Sequence, residues 1–313
     1  MISIIIPCYN AEETIRATLR SVYEQSCQDF EIIAINDGST DGTLKILEEE
    51  AHGKENFKVI DIPNCGVSNA RNIGINEAQG EYLYFLDSDD RILPELIENI
   101  QLERDFDLLI FGYIQTSKDR NFLIRPVPCA DYLKSYLESR IKIVMCSIVF
   151  RTAFVRQHKI LFDTNTAYSE DREFIIKSLL YANDIKQRDY IGFHYIIRGN
   201  SAMSRTDLTL KRLTSLDALE RCYKLLVHTD YSSAMLAYFK TSIYLIDRMS
   251  KLRSTTIHPE AQEHLDQFKD RYCGNNIKLR LNRYGLYTFA MDIAYNLRNS
   301  SLVRSFKTNA SNH

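Results

Sequence analysis

The feature that most limits how this chain can fold is the strict alternation of strand and helix patterns over residues 1–90. Residues 2–6 (Ile-Ser-Ile-Ile-Ile) are almost continuously β-branched, as a strand covered on both faces requires. Residues 12–25 follow with helical spacing, and Ile15, Leu19 and Val22 fall on one stripe. The same reading gives strands at 30–35, 57–62 and 82–86, with helices at 40–50 and 67–78 between them. Such a βαβαβαβ order predicts an α/β fold, a mostly parallel sheet with right-handed crossovers and helices on both faces. Ligands of such sheets bind outside the carboxyl ends of the strands. Here those ends are residues 7–10, 36–39, 63–66 and 87–90.

From about residue 94 to 205 the pattern is mixed, with strands expected at 108–113, 143–150 and 191–197 and a helix at 170–181. Beyond 206 the chain turns helical, over 206–228, 231–252, 259–272 and 277–307. We expect an α/β domain at 1–205, in halves 1–93 and 94–205, and a helical C-terminal region at 206–313. With 39 Lys+Arg against 41 Asp+Glu, the net charge of −2 excludes a generally basic nucleic-acid-binding protein. The 7 Cys are odd in number and none lie two or three apart, which fits neither a disulfide framework nor a zinc site. The first residues lack the basic start of a signal peptide, and no window is long enough for a membrane span. A cytoplasmic protein is the expectation.

The acidic run Asp87-Ser88-Asp89-Asp90 follows directly on the strand 82–86. Three carboxylates so close repel one another, and Mg²⁺ or Mn²⁺ bridged to phosphate oxygens would offset that. The plainer alternative is a solvated turn that caps the helix near residue 94. Asp37, Ser39, Asp41, Gly42 and Glu48 match positions of a calcium loop, but a strand precedes them where that loop needs a helix. A strand-to-helix turn is the better reading, with Ser39 or Asp41 as N-cap and Asp37 aimed into the crevice. No glycine-rich phosphate loop of the P-loop or dinucleotide type is present. Arg71, on the helix 67–78, is placed either to reach a diphosphate or as a solvated surface residue. Ser169-Glu170-Asp171 reads equally as a serine cap with two acids in the first turn, or as a pair holding a general base.

Four segments carry a resemblance. Ile4-Ile-Ile-Pro-Cys-Tyr-Asn10, Glu31-Ile-Ile-Ala-Ile-Asn-Asp-Gly-Ser-Thr-Asp-Gly42, Asn64-Cys-Gly-Val-Ser-Asn-Ala-Arg-Asn-Ile-Gly74 and Gly80-Glu-Tyr-Leu-Tyr-Phe-Leu-Asp-Ser-Asp-Asp90 resemble the family 2 glycosyltransferases. These are inverting enzymes of GT-A fold that use nucleotide-activated sugars. The resemblance implies that Pro7, Tyr9 and Glu12 line the nucleotide pocket, that Asp37 holds uracil or ribose, and that Asn64 and Arg71 complete the wall. It implies Asp87 toward the ribose, with Ser88 beside it. Asp89 would bind a Mn²⁺ or Mg²⁺ ion that bridges the diphosphate, and Asp90 would face the donor sugar. Glu170 and Asp171 resemble the acidic pair before an aromatic, here Phe174, whose second member is usually the base. The family often carries a histidine where this chain has Arg198, which has no lone pair for a metal but could neutralise a leaving diphosphate. His194 is a substitute ligand or a structural strand residue.

The expected reaction is hexosyl or N-acetylhexosaminyl transfer from a UDP-sugar to a saccharide or lipid-linked acceptor in bacterial envelope polysaccharide assembly. A non-catalytic sugar-nucleotide-binding protein and a sugar-phosphate nucleotidyltransferase are the alternatives. Residues 278–307 hold six basic residues and one acid among aromatic and aliphatic side chains. They read as a contact with the inner membrane or as a helix packed on the catalytic domain or a second copy. With 19 Tyr and no Trp, stacking on uracil or sugar falls to Tyr, Phe or His, Tyr9 first among them.

Overall fold

A computed structural model describes residues 1–117, 120–197, 208–251 and 256–273. They form two units, Met1–Pro128 with Ile143–Ile197, and Cys129–Lys142 with the described residues beyond 207. The first begins β1 (Ile2–Cys8), α1 (Ile15–Tyr23), β2 (Phe30–Asp37), α2 (Thr43–Ala51), β3 (Phe57–Ile62), α3 (Val67–Glu77) and β4 (Tyr82–Phe85). This is the expected alternation, and its four strands pair in parallel in the order β3-β2-β1-β4. Every residue of β1 is buried, as its β-branched run requires.

The chain continues through β5 (Arg91–Ile92), α4 (Leu96–Gln101), β6 (Leu108–Ser117), β7 (Arg120–Ile124), α5 (Tyr132–Leu137), β8 (Ile148–Arg151), α6 (Thr152–Gln157), α7 (Glu170–Tyr181) and β9 (Ile185–Ile196). The sheet extends as β4-β8-β6-β9-β5, with β7 paired to the far end of β6. Here the directions mix: β8 runs antiparallel to β4 and β6, and β5 antiparallel to β9. The strand expected at 143–150 is shorter, because Met145–Ser147 winds into a 3₁₀ turn. Strand β9 begins before residue 191, its polar stretch Lys186-Gln187-Arg188-Asp189 being only partly covered.

Two packing features aim the elements at the strand tips. Phe85 of β4 meets Phe150, Phe162 and Phe174 edge-on at 5.8, 5.4 and 5.7 Å, and Phe162 stacks on Phe174 at 4.2 Å. This cluster seats α7, through Phe174, beneath the end of β4. Gly74 lets α3 lie directly on β1, since a Cβ there would run into the Ile5 side chain.

The second unit packs α5 with α8 (Leu210–Leu226), α9 (Ser232–Ser250) and α10 (Pro259–Tyr272) around Leu213, Leu216, Phe239, Ile243 and Phe268. Two carboxylates are buried in it. Lys224 and Arg271 hold Glu220, and Lys251 and Lys269 hold Asp247. Residues 278–307 lie outside the described residues. Among those described, no helix is long and apolar enough to cross a membrane.

Substituting Gly74→Ala should cost about 1–3 kcal/mol through overpacking against a buried strand. Urea unfolding measures it, and an unchanged midpoint would show that α3 does not sit on β1 as described.

Candidate active site at the strand tips

The tips of β1 and β2 are tied together. Asn10 adopts a left-handed backbone (φ 49°), its side chain accepts the Thr40 N–H at 2.8 Å, and its N–H donates to Ser39 Oγ at 3.0 Å. Glu12 accepts the Gly42 N–H at 2.7 Å, and its own N–H donates to Asp41 at 3.2 Å. The other Asp41 oxygen accepts the Thr43 N–H and hydroxyl. Burial pushes the Asp41 carboxyl up, but these hydrogen bonds outweigh it and hold the group below its ordinary value. The calcium-like pattern thus builds a strand-to-helix turn. Its N-cap is Gly42 rather than Ser39 or Asp41, although the Asp41 side chain still takes the first amide of α2, that of Thr43, at 3.0 Å.

Asp37, at the end of β2, is buried and accepts the Cys65 N–H at 2.7 Å and the Gly66 N–H at 2.9 Å. The carboxylate thus ties the end of β2 to the two residues that lead into α3. Asn64 Nδ2 donates to the Asp37 carbonyl at 3.0 Å. Gly38 makes the approach possible: its φ is +66°, and a Cβ would stand 2.5 Å from the Asn64 nitrogen. Tyr9 stands open on this rim, 53% exposed, while Pro7 is buried within β1.

Arg71 is no surface arginine. It is 5% exposed, its Nη2 donates to Asp87 Oδ1 at 2.9 Å, and its Nη1 donates to Glu170 Oε1 at 3.1 Å. Its guanidinium also faces the Phe162 ring at 5.2 Å. Burial opposes the charge, but Asp87, Glu170 and Asp171 outweigh it and hold the pKa above the ordinary value. One cation cannot neutralise three carboxylates. Burial, reinforced by Asp171, accordingly pushes the Glu170 carboxyl up to about 7 in spite of Arg71. Glu170, Asp171 and Glu173 occupy the first turn of α7. Ser169, at its N-cap, has φ 66° and makes no capping bond, so the expected serine cap is absent. Asp171 Oδ1 accepts the Arg172 N–H at 2.7 Å.

Asp87, Ser88 and Asp89 are partly exposed, whereas Asp90 is buried and its Oδ1 accepts the Ile196 N–H at 2.9 Å. Carboxylate oxygens of Asp87 and Asp90 and the Cys146 sulfur lie within 4.8 Å of one another. Burial pushes the Cys146 thiol well up, so at neutral pH it stays protonated and is a poor ligand. The grouped oxygens of Asp87 and Asp90 are hard donors beside a surplus of negative charge, the kind that suits Mg²⁺ or Mn²⁺. His194 lies 2.5 Å from the Thr116 hydroxyl through Nε2, and burial together with Arg91 lowers its pKa. Arg198 lies outside the described residues. Sequence reasoning missed the contribution of Thr18, whose hydroxyl reaches the backbone of Ser88 and Asp90, and of Asn72, which anchors the Phe162 backbone. A cleft of about 450 Å³ is lined by Leu93, Glu95, Arg125 and Tyr190 and contains none of the strand-tip carboxylates.

A twisted α/β sheet with carboxylates at the tips of its central strands defines the class: a GT-A fold. The comparisons with known proteins agree. The family model for glycosyl transferase family 2 matches residues 3–209. EpsH of Bacillus subtilis (strain 168), named as a glycosyltransferase, is 29% identical over 216 residues, which cover 65% of this chain and 63% of EpsH. TarS of Staphylococcus aureus (strain Mu50 / ATCC 700699), a poly(ribitol-phosphate) beta-N-acetylglucosaminyltransferase, is 30% identical over 206 residues, 62% of this chain and 35% of TarS. The chain thus spans less than two thirds of these relatives. The crystal structure of S. aureus TarS 1–349 with UDP-GlcNAc superposes with a TM-score of 0.67 at 22% identity, covering 98% of this chain and 92% of that one. The mannosyltransferase PcManGT of Pyrobaculum calidifontis, solved with GDP-Man and Mn²⁺, gives 0.54 at 13% identity, covering 93% and 86%. The chain belongs to glycosyl transferase family 2.

The raised Glu170 carboxyl has a definite sign in stability. Between its ordinary value of 4.5 and about 7 the folded protein binds more protons at Glu170 than the unfolded chain does. The contribution is full below the lower value and is lost as pH rises through the upper. Against Glu170→Gln, which cannot titrate, wild type should lose about 1–3 kcal/mol of stability across that window. Urea unfolding of both proteins at several pH values checks this, and parallel curves would refute it.

Proposed function

We propose that the chain is an inverting glycosyltransferase that moves a hexose or N-acetylhexosamine from a UDP-sugar to a hydroxyl of a saccharide or lipid-linked saccharide. The observation that carries the reading is Arg71, which joins Asp87 at the β4 tip to Glu170 at the start of α7. The carboxylates suited to a nucleotide diphosphate and those suited to a general base thereby share one cluster. TarS, of similar fold and also a relative in sequence, is known with UDP-GlcNAc, which supports a UDP-linked donor.

In this reading Tyr9 stacks on uracil from the open rim, while Pro7, Asp37 and Asn64 form the pocket wall. Glu12 acts through the turn it holds. A divalent cation, when bound at Asp89 and Asp87, supplies positive charge to the departing diphosphate. Asp171 accepts the proton of the acceptor hydroxyl, whose oxygen forms the new bond to the anomeric carbon. The carbon–oxygen bond to the diphosphate breaks on the opposite face, UDP leaves with the electron pair, and the centre inverts. Glu170, buried and with its carboxyl raised, orients Arg71 beside that base, and Arg71 and Arg198 add positive charge on the donor side. Envelope polysaccharide assembly, and contact of residues 278–307 with the cytoplasmic face of the inner membrane, belong to the same reading.

Asp171→Asn should bind UDP as wild type does but lose about 10²–10⁴ in transfer rate, the usual worth of a general base. Calorimetric titration with UDP and release of UDP from a donor-plus-acceptor mixture measure the two. Full turnover in the variant would remove the base assignment. UDP-sugar binding without turnover in wild type would point instead to a binding protein.

A further inference from the structure

Thr18 and Ser21, three apart on α1, share one face of the helix, and Gln25 follows just past its C-terminal end. All three are buried, 1%, 8% and 4% exposed. Each of them binds the segment that leaves the carboxylate turn. Thr18 Oγ1 lies 3.0 Å from the Ser88 carbonyl and 2.8 Å from that of Asp90, sharing one proton between them. Ser21 Oγ accepts the Ile92 N–H at 3.2 Å. Gln25 donates to the Leu93 carbonyl at 2.7 Å and accepts the Ile97 N–H at 3.1 Å.

The turn is closed from within as well, since the Asp90 N–H donates to the Asp87 carbonyl at 3.1 Å. Both peptide groups flanking Asp89 are therefore held: the one before it through the Ser88 carbonyl, the one after it through the Asp90 N–H. With both planes held, the Cα–Cβ bond of Asp89 is fixed in direction. Burying three polar side chains costs free energy that apolar residues of like volume would not incur, unless each is hydrogen-bonded. Here each is: Ser21 Oγ also donates to the Thr18 carbonyl at 2.6 Å and Gln25 Nε2 to the Ser21 carbonyl at 3.1 Å, and all three reach this one segment.

We propose that the Thr18–Ser21–Gln25 set is a positioning device for the carboxylate turn. Thr18 is then the positioning residue that aims Asp87 and Asp89 at the diphosphate of the nucleotide and its cation. The proposal rests on the donor reading above, but it names residues outside the four motifs that carry the family resemblance.

Thr18→Val removes the hydroxyl at nearly constant volume, and Thr18→Ser keeps it. Calorimetric titration with UDP in the presence of Mn²⁺ should show Kd about tenfold weaker in the valine variant, roughly 1.4 kcal/mol, with serine within about twofold of wild type. Amide exchange over residues 87–92, measured without nucleotide, should quicken in the valine variant and not in the serine one. Thr18→Cys, a weaker donor, should give an intermediate Kd and covers the case in which valine prevents folding. UDP binding equal in wild type and the valine variant, or equal losses in valine and serine, would overturn the role of Thr18 alone. Wild-type protein that binds no UDP with Mn²⁺ would overturn the donor reading, and the assignment to the diphosphate with it.

Discussion

A guanidinium almost wholly withdrawn from water must be matched by negative charge, and at Arg71 that match organises the surrounding structure. Asp87 and Glu170 each supply a carboxylate oxygen, at 2.9 and 3.1 Å, and Asp171 adds its field. Losing the guanidinium would leave its carboxylates unpaired, which in proteins typically costs several kcal/mol. The helix that carries Arg71, the strand that leads to Asp87 and the helix that begins at Glu170 are thus constrained to one another. Three carboxylates around one cation leave two negative charges in excess, which adds to burial in raising the Glu170 carboxyl.

The rest of the first unit keeps this cluster from spreading. Phe85, Phe150, Phe162 and Phe174 form an aromatic base under the β4 tip, and Phe162 also faces the guanidinium of Arg71. Gly74 allows α3 to lie on β1, and the Asp37 carboxylate holds the start of that helix. From the other side, Thr18 and Ser21 of α1 and Gln25 just past its end bind the backbone of residues 88–97. Apolar packing supplies the stability, and polar contacts at its margin decide where the carboxylates point.

Much of the scaffold was legible in advance. β1 to β4 and α1 to α3 fell where periodicity placed them, because a buried parallel strand and an amphipathic helix each leave an unmistakable pattern over a few residues. The second half was harder. A run such as Ile148-Val-Phe announces a strand but not its direction, so the antiparallel insertion of β8 could not be read. Two-residue β5 and the exposed β7 carry too little apolar signal to be seen at all. At the site, Arg71 read equally as a ligand contact or a solvated residue, and Ser169 read as a cap it does not make. Thr18, Ser21 and Gln25 escaped notice because Thr, Ser and Gln on a helix read as its solvent face, and only burial shows otherwise.

By itself the sequence determined the alternation of strands and helices over residues 1–90, the placing of carboxylates at strand ends, and the family to which the chain belongs. Those properties are local: they depend on residue type and on spacings of two to four, which one element enforces on its own. What only the tertiary structure decided is which charges meet. Arg71 and Asp87 are 16 residues apart and Arg71 and Glu170 are 99, while Thr18 lies 72 from Asp90. Contacts at such separations follow from strand order and helix packing. They arise when apolar surface is buried and the enclosed polar groups must then find one another.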